Sequence, residues 1–328
     1  MENIIEPINP NLIEKELTPE RFLRHTNKAG NEIYVVDAHN APNTMREIGR
    51  LREISFRTAG GGTGKACDID EFDLMEKPCQ QIFVWNPATR EIIGAYRYIT
   101  GPNIEYTADG IPKIATAHMF RFSPKFISEY LPRTIELGRS FVRPEYQSTK
   151  VGAKAIYALD NLWDGLGALT VIHPDIEYLF GKATMYPSYP HECRNLLLHF
   201  LNTYFPDPDC LVRPIEPLDT QKQAGEDEIL KGFFKGNDFK EDYKRLNHFV
   251  MEHGITIPPL VNAYMSLSPT MRLFGTAVNH EFGEVEETGI LIAVDEILEQ
   301  KRMRHIDSFV EEHPDSLNLF TELFKKKN

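Results

Sequence analysis

The stretch Thr134-Ile-Glu-Leu-Gly-Arg-Ser-Phe-Val142 decides the reading of this chain. Ile135, Leu137, Phe141 and Val142 describe a short, mostly buried strand, which Glu136 and Arg139 interrupt. A carboxylate and a guanidinium inside an apolar run carry a desolvation cost, so they must be paired or functional. Pro144 closes the run, because proline cannot continue a central strand. A polar stretch with one glycine, Glu145 to Gly152, then leads into a helical pattern from Ala153 to Trp163. Strand, tight loop and helix is the layout that points backbone N–H groups at a phosphate. Taken alone, the stretch reads more plainly as an ordinary strand with a structural ion pair.

The 328 residues, 41% hydrophobic and 26% charged, describe a soluble globular chain with room for one large domain or two ordinary ones. No apolar run is long enough to span a bilayer. Met1 to Pro19 is polar and acidic, unlike a signal peptide. Cys67, Cys79, Cys193 and Cys210 have no metal-ligand spacing, which suits free thiols in a reducing cytoplasm. A net charge of −12 argues against nucleic acid and against general attraction to anionic lipid. Lys325-Lys326-Lys327 reads as a solubilising tail.

Outward from the strand, the pattern predicts a short helix near Pro19–His25, a strand over Glu32–Asp37 and a helix over Asn43–Thr58, with Asn43 as its N-cap. Arg46, Arg50, Arg52 and Arg57 lie on that helix. Gln81–Trp85 and Glu91–Tyr98 form a hairpin. A strand is expected over Ile114–Phe122, a short helix from Ser123-Pro124, a strand over Glu177–Met185 and an amphipathic helix ending near Tyr204. Thr170–His173 is ambiguous between helix and strand. Pro206–Gly236 is loop-rich and is the candidate boundary. Helices follow over Asp238–His253, from Pro258-Pro259 to Met265, over Glu296–Phe309 and over Leu317–Phe324, with a strand over Thr288–Val294.

Several motifs fail on inspection. Ala59-Gly60-Gly61-Gly62-Thr63-Gly64-Lys65-Ala66 invites a P-loop reading, but Ala59 and Ala66 stand where Gly and Ser or Thr are needed, and the segment follows a helix. Asp68 to Asp73 reads as a solvated acidic turn; as a metal site it lacks the glycine and terminal glutamate of an EF-hand loop. Cys79 and Cys193, with His191 and His199 in the chain, come without a nucleophile elbow. His280-Glu281 lacks the second histidine of a zinc helix, and no metal is expected.

The order of helix, acidic loop, hairpin, central strand, glycine-bearing loop, helix and strand resembles the GNAT acyltransferase fold. Phe72-Asp73, Gly94-Ala95-Tyr96-Arg97, Glu136-Leu137-Gly138-Arg139 and Leu179-Phe180-Gly181 are similar to the N-acyltransferases that make glycine and ornithine lipids. The N-acyl amino acid synthases and the acyl-homoserine-lactone synthases are their relatives. The likeness runs over roughly residues 30–210 and resumes at Ile257–Val294, in Pro258-Pro259-Leu260 and Gly289-Ile290-Leu291-Ile292. It implies an α/β (α+β) fold, a central mixed twisted sheet flanked by helices. The expected parts are an N-terminal arm (1–30), a GNAT-like core (31–210) and a helical C-terminal portion (211–328) that packs on the core and adds a strand near 288–294.

The resemblance further implies a fatty acyl group, 3-hydroxylated in the lipid pathways, moved from acyl carrier protein to the α-amine of glycine or ornithine. The acyl-ACP thioester is then a co-substrate, with no bound cofactor. Glu136 and Arg139 match the family's catalytic strand; Arg52, Phe56, Asp70, Asp73 and Arg97 match its substrate-binding positions. Two departures stand out. Gly138 replaces the usual serine, and the acetyl-CoA phosphate loop is not cleanly present, since Gln147–Ala155 keeps only Gly152, Ala153 and Ala155. That suits a donor with a single phosphopantetheine phosphate, met by Arg143, Lys150, Gly152 and Lys154.

Acyl transfer to an amine needs an unprotonated nitrogen, so Glu136 is the expected base, direct or through water, with its pKa raised by burial. Arg139 is expected to orient Glu136 or bind the phosphate, and backbone N–H groups at the strand's splayed edge to meet the oxyanion. Arg52, Asp70, Asp73 and Arg97 would surround the amino acid, glycine being favoured because that cluster balances one amine and one carboxylate. The loop Gly60–Asp70 is the expected selector. Leu179, Phe180 and Met185 are expected at the acyl tunnel or simply in the core. The competing class is a non-catalytic module that binds acyl-ACP or an acyl amide. The expected place of work is the cytoplasm, with at most transient contact at the inner membrane surface.

Overall fold

The computed structural model describes residues 1–147, 153–221 and 226–313. The strand read over Thr134–Val142 is there, at the centre of the molecule. In chain order the described strands are β1 (Phe22–His25), β2 (Glu32–Val36), β3 (Gln80–Asn86), β4 (Glu91–Thr100), β5 (Phe120–Phe122), β6 (Thr134–Val142), β7 (Tyr178–Met185), β8 (Val212–Pro214), β9 (Arg272–Asn279) and β10 (Val285–Ala293). Eight of them make one sheet in the order β1-β2-β3-β4-β6-β7-β10-β9. Only β6–β7 is parallel. β5 and β8 pair separately.

Side chains alternate across a strand, so the register sorts residues between the two faces. One face carries Ile82, Tyr96, Tyr98, Leu137, Leu179 and Ile290, buried beneath the helices Ala153–Ile172 and His191–Tyr204. The other face is covered in two patches. The helix Pro42–Ala59 lies with Met45 and Ile48 over Phe83, Ala95 and Phe141. Phe120, Phe126 and Leu131 lie with Ile99, Phe180 and Leu291. Between these patches the same face carries Gln81, Arg97, Glu136, Lys182 and Glu287, one each from β3, β4, β6, β7 and β10. Four of these, Gln81, Arg97, Glu136 and Glu287, are buried and Lys182 is partly so; such a row is costly unless its members bind one another or a substrate.

The hairpin, β6, β7 and β10 follow the sequence reading; several details do not. Phe22–His25 is an edge strand on β2 rather than a helix, and the short helix lies earlier, at Pro10–Glu14. Asn43 is not the cap of its helix: Ala41 holds that position and has no side-chain oxygen to offer. Glu16, remote in sequence, supplies it, accepting from the amides of Asn43 (3.0 Å) and Thr44 (2.8 Å). Of Ile114–Phe122 only the last three residues are strand. β9 went unread because Gly275, at φ 84°, breaks its alternation with a register shift against β10. The last described helical segment is interrupted by a π-turn at Met303–Asp307, and Leu317–Phe324 lies outside the described residues. Residues beyond 211 thus give two strands to the main sheet. Among the described residues no helix is long and apolar enough to cross a membrane.

Candidate active site

β6 and β7 pair from Thr134–Tyr178 to Glu136–Phe180 and no farther. Beyond Glu136, β6 stays with β4, and β7 stays with β10 as far as Met185. The two central strands therefore splay. A bulge in β6 adds to this: between the pairs Arg97–Gly138 and Ala95–Phe141, two residues, Arg139 and Ser140, face Tyr96 alone. Arg139 sits at φ 47°, the left-handed region, as the residue that makes the bulge. At the apex a Cβ on Gly181 would stand 2.8 Å from the Leu137 carbonyl oxygen, so the strands can come this close only with glycine there.

The splay opens into a cavity of about 400 Å³ lined by Phe56, Tyr96, Glu136, Gly138, Lys182 and Tyr264, among others. A second cavity of about 1010 Å³ is lined by Asp68, Asp70, Phe72, Ile114 and His118. Arg97, Ala115, Arg139, Lys182 and Phe282 belong to both walls. Two reactants entering separate cavities would meet along this shared wall.

Glu136 lies at the apex, 3% exposed, and its Oε1 accepts the Thr116 amide at 3.1 Å. Burial raises its pKa; the charges of Arg97 and Lys182 oppose this without cancelling it. A carboxyl group with a raised pKa, buried at a cavity wall, is suited to accept a proton near neutral pH.

Arg139 does not pair with Glu136, the contact that a structural ion pair or an orienting role would need. The bulge turns it to Asp68 (2.9 Å) and Asp70 (3.4 Å), and its guanidinium lies 4.5 Å from the Phe282 ring centre. Nor is the acidic turn simply solvated. Asp70 caps a one-turn helix at Glu71–Leu74 through a capping box with Asp73, and Asp68 and Asp73 are buried. Arg97 binds Asp70 at 2.6 Å and Asp73 at 3.4 Å, its guanidinium over Phe72. Burial would raise the Asp70 pKa, but Arg97, Arg139 and Arg52 hold it well below the carboxylate range.

Arg52 and Asp73, expected beside the substrate, line neither cavity. Both side chains are fully buried; they pair at 2.9 Å, and Arg52 also donates to Gln81. They stand behind Arg97 and fix it. Phe56 does line the smaller cavity, packed edge-on against Phe282. Arg143 is engaged by Glu91 (3.0 Å) and Glu145 (3.3 Å). Lys150 and Gly152 lie outside the described residues, as does the side chain of Lys154.

Lys182 and Glu287 were not picked out from the sequence. They form an ion pair at 2.6 Å, and Asn279 and Thr184 also bond Glu287. The signal was present for Lys182: it breaks the strand pattern two residues after Phe180, as Glu136 breaks its own. Glu287 was hidden because the strand was started at Thr288.

The glycine loop after Pro42–Ala59 turns its N–H groups inward. Glu53 accepts from the Thr63 amide (3.1 Å), the Thr63 hydroxyl (2.7 Å) and the Gly64 amide (2.8 Å). A carboxylate thus takes the place a P-loop gives to phosphate. Cys79 is buried and its thiol pushed up to about 12 by burial, the opposite of an activated nucleophile.

The acetyltransferase (GNAT) domain family matches residues 51–156. The chain is 60% identical to a glycine N(alpha)-acyltransferase of Bacteroides thetaiotaomicron over 97% of its own length and 94% of that protein. It is 58% identical to a second, from Phocaeicola vulgatus, over 97% of each. The CoA-dependent acyl-homoserine lactone synthase BjaI aligns over 86% of this chain and 89% of its own at 12% identity, with a TM-score of 0.35, a likeness too slight to carry weight. The sequence identity over nearly the whole chain places it: this is an acyltransferase of the GNAT superfamily and belongs to the glycine N(alpha)-acyltransferase family.

Proposed function

We propose that the chain transfers a 3-hydroxy fatty acyl group from acyl carrier protein to the α-amine of glycine. The observation that carries this is the splay of β6 from β7 with Glu136 at its apex, opening on two cavities that share a wall. The names of the two relatives supply glycine as acceptor. The acyl-pantetheine arm enters the smaller cavity and brings its thioester to the apex. The amino acid comes from the larger one. Glu136 takes the proton of the attacking ammonium, directly or through a water. The amine nitrogen bonds to the thioester carbon, the carbon–sulfur bond breaks, and the pantetheine sulfur leaves as thiolate and takes the second proton that the nitrogen gives up as the amide forms. The oxyanion formed between these events is met by β6 amides facing the gap, with Arg97 and Arg139 as fixed positive charge near by. No covalent enzyme intermediate is needed.

The donor assignment rests on the departures of the Gln147–Ala155 segment from an acetyl-CoA loop. Acyl carrier protein is acidic and needs a local basic face on this acidic chain. Because Glu91 and Glu145 already hold Arg143, the docking charge falls mainly to Lys150 and Lys154. The N-acyl product is a lipid precursor, acylated on its 3-hydroxyl by a second enzyme. The enzyme works in the cytoplasm and touches the inner membrane surface only in passing.

Purified protein with one acyl-ACP and equimolar glycine and ornithine, with products read by mass spectrometry, tests the reading. N-acylglycine should dominate, acyl-CoA should serve poorly, and added salt should raise KM for acyl-ACP. Predominant N-acylornithine would overturn the acceptor and leave acyl transfer intact. Equal use of acyl-CoA without a salt effect would overturn the carrier-protein donor. Binding of acyl-ACP with no amide formed from any amino acid would favour the non-catalytic module.

A further inference from the structure

Three cations belong to both cavity walls among the described residues: Arg97, Arg139 and Lys182. The two arginines are each held by two carboxylates, Arg97 by Asp70 and Asp73, Arg139 by Asp68 and Asp70. Lys182 has one, Glu287 at 2.6 Å. Its other hydrogen bond, to the Met119 sulfur at 3.7 Å, is to a weak acceptor. An ammonium has three N–H donors, so Lys182 keeps donor capacity at the wall where the reactants meet. The pair is well anchored. Glu287 is 5% exposed and takes further bonds from Asn279 (2.9 Å) and Thr184 (3.3 Å). His118, on the wall of the larger cavity, is kept neutral by burial and by Lys182, and adds no rival charge.

Position completes the argument. Glu136 and Phe180 are paired residues of β6 and β7, and Lys182 lies two residues beyond Phe180 on the same face, just inside the splay. Lys182 is near enough to Glu136 for its charge to act on that carboxyl. An α-amino acid carries its amine and its carboxylate on one carbon. A base for the first and a cation for the second must therefore stand side by side, as these two do.

We propose that Lys182 binds the acceptor's α-carboxylate, so that the enzyme selects amines with a carboxylate on the adjacent carbon. This rests on the N-acyltransferase reading but not on glycine as the acceptor. The test compares glycine with glycinamide in the wild-type enzyme and in two variants, Lys182→Met and Lys182→Met with Glu287→Gln. The double variant leaves no unpaired carboxylate in the core if the single one folds poorly. Glycinamide is the sterner control, because its amine gives up its proton more readily than that of the free amino acid. Wild type should use glycinamide about 10–100-fold less efficiently, the worth of one charged hydrogen bond. The folded variant should lose the preference: its kcat/KM for glycine should fall about 10–100-fold further than its kcat/KM for glycinamide, over and above any loss common to both from the changed charge beside Glu136. Lys182→Arg should recover part of the preference. Equal use of both amines by wild type, or a parallel loss on both in the folded variant, would overturn the proposal. A wild type that prefers ornithine yet rejects ornithinamide would uphold Lys182 and overturn only glycine.

Discussion

Replacing Glu136 with glutamine separates the shape of this side chain from its basicity. Thr116 donates its amide to Oε1, and a glutamine carbonyl can accept the same bond, so the variant should fold. What is lost is the proton acceptor. General bases contribute about 10²–10⁴ in rate, which at about 1.4 kcal/mol per tenfold is about 3–5.5 kcal/mol of transition-state stabilisation. Stability should move the other way. Burial raises the Glu136 pKa, so at neutral pH the folded state carries a cost that the unfolded chain does not. In a titration the folded state binds the extra proton, so the group's stabilising contribution is complete below the unfolded pKa and is lost as pH rises through the folded one. Glu136→Gln should therefore match or exceed the parent Tm at pH 7, and the gain should vanish below about pH 4, near the unfolded glutamate pKa. The kcat/KM profile of the parent should show an acidic limb above the ordinary glutamate range, absent from the variant. The assay is amide formation from acyl-ACP and glycine at saturating donor, beside thermal melts across pH. Turnover at the parental rate in the folded variant would refute Glu136 as base.

Two further outcomes follow from the geometry. Asp73→Asn should cost about 3–5 kcal/mol, lowering Tm by roughly 4–7 °C in a thermal melt, because Arg52 and Arg97 both lose a buried counter-charge; a change of a degree or less would show that the guanidinia find other partners. Gly181→Ala should destabilise by about 1–3 kcal/mol, since its Cβ would meet the Leu137 carbonyl at 2.8 Å and force the apex apart; a parental melting curve would mean that the strands already yield there.

The central strand was legible because its two charged residues stand in a contiguous apolar run, a pattern with few physical solutions. The hairpin was legible from its turn, where Asn86 Oδ1 accepts the amides of Ala88 and Thr89. Which charge meets which was not legible. In a regular strand Arg139 would face away from Glu136; a bulge of one residue brings it round to the acidic turn, and bulges depend on the partner strand. Arg52 and Asp73 carry the right chemistry for a substrate, yet they face each other beneath Arg97, and only tertiary burial tells a supporting layer from a contacting one. Glu287 sits in a strand whose charged beginning reads as loop, because its counter-charge, Lys182, is more than a hundred residues earlier.

The pairing of β6 with β7 has a mechanical corollary. Three residue pairs form the whole seam between the two halves of the sheet, and Glu136 is the last stitch. Past that point the strands share no rung, and beside it the missing Cβ of Gly181 is what lets β7 lie against the Leu137 carbonyl. The seam is thus paired at one end and unpaired at the other. On the donor proposed above, room for acyl groups of different girth would then come from the hinge of the sheet rather than from any one side chain.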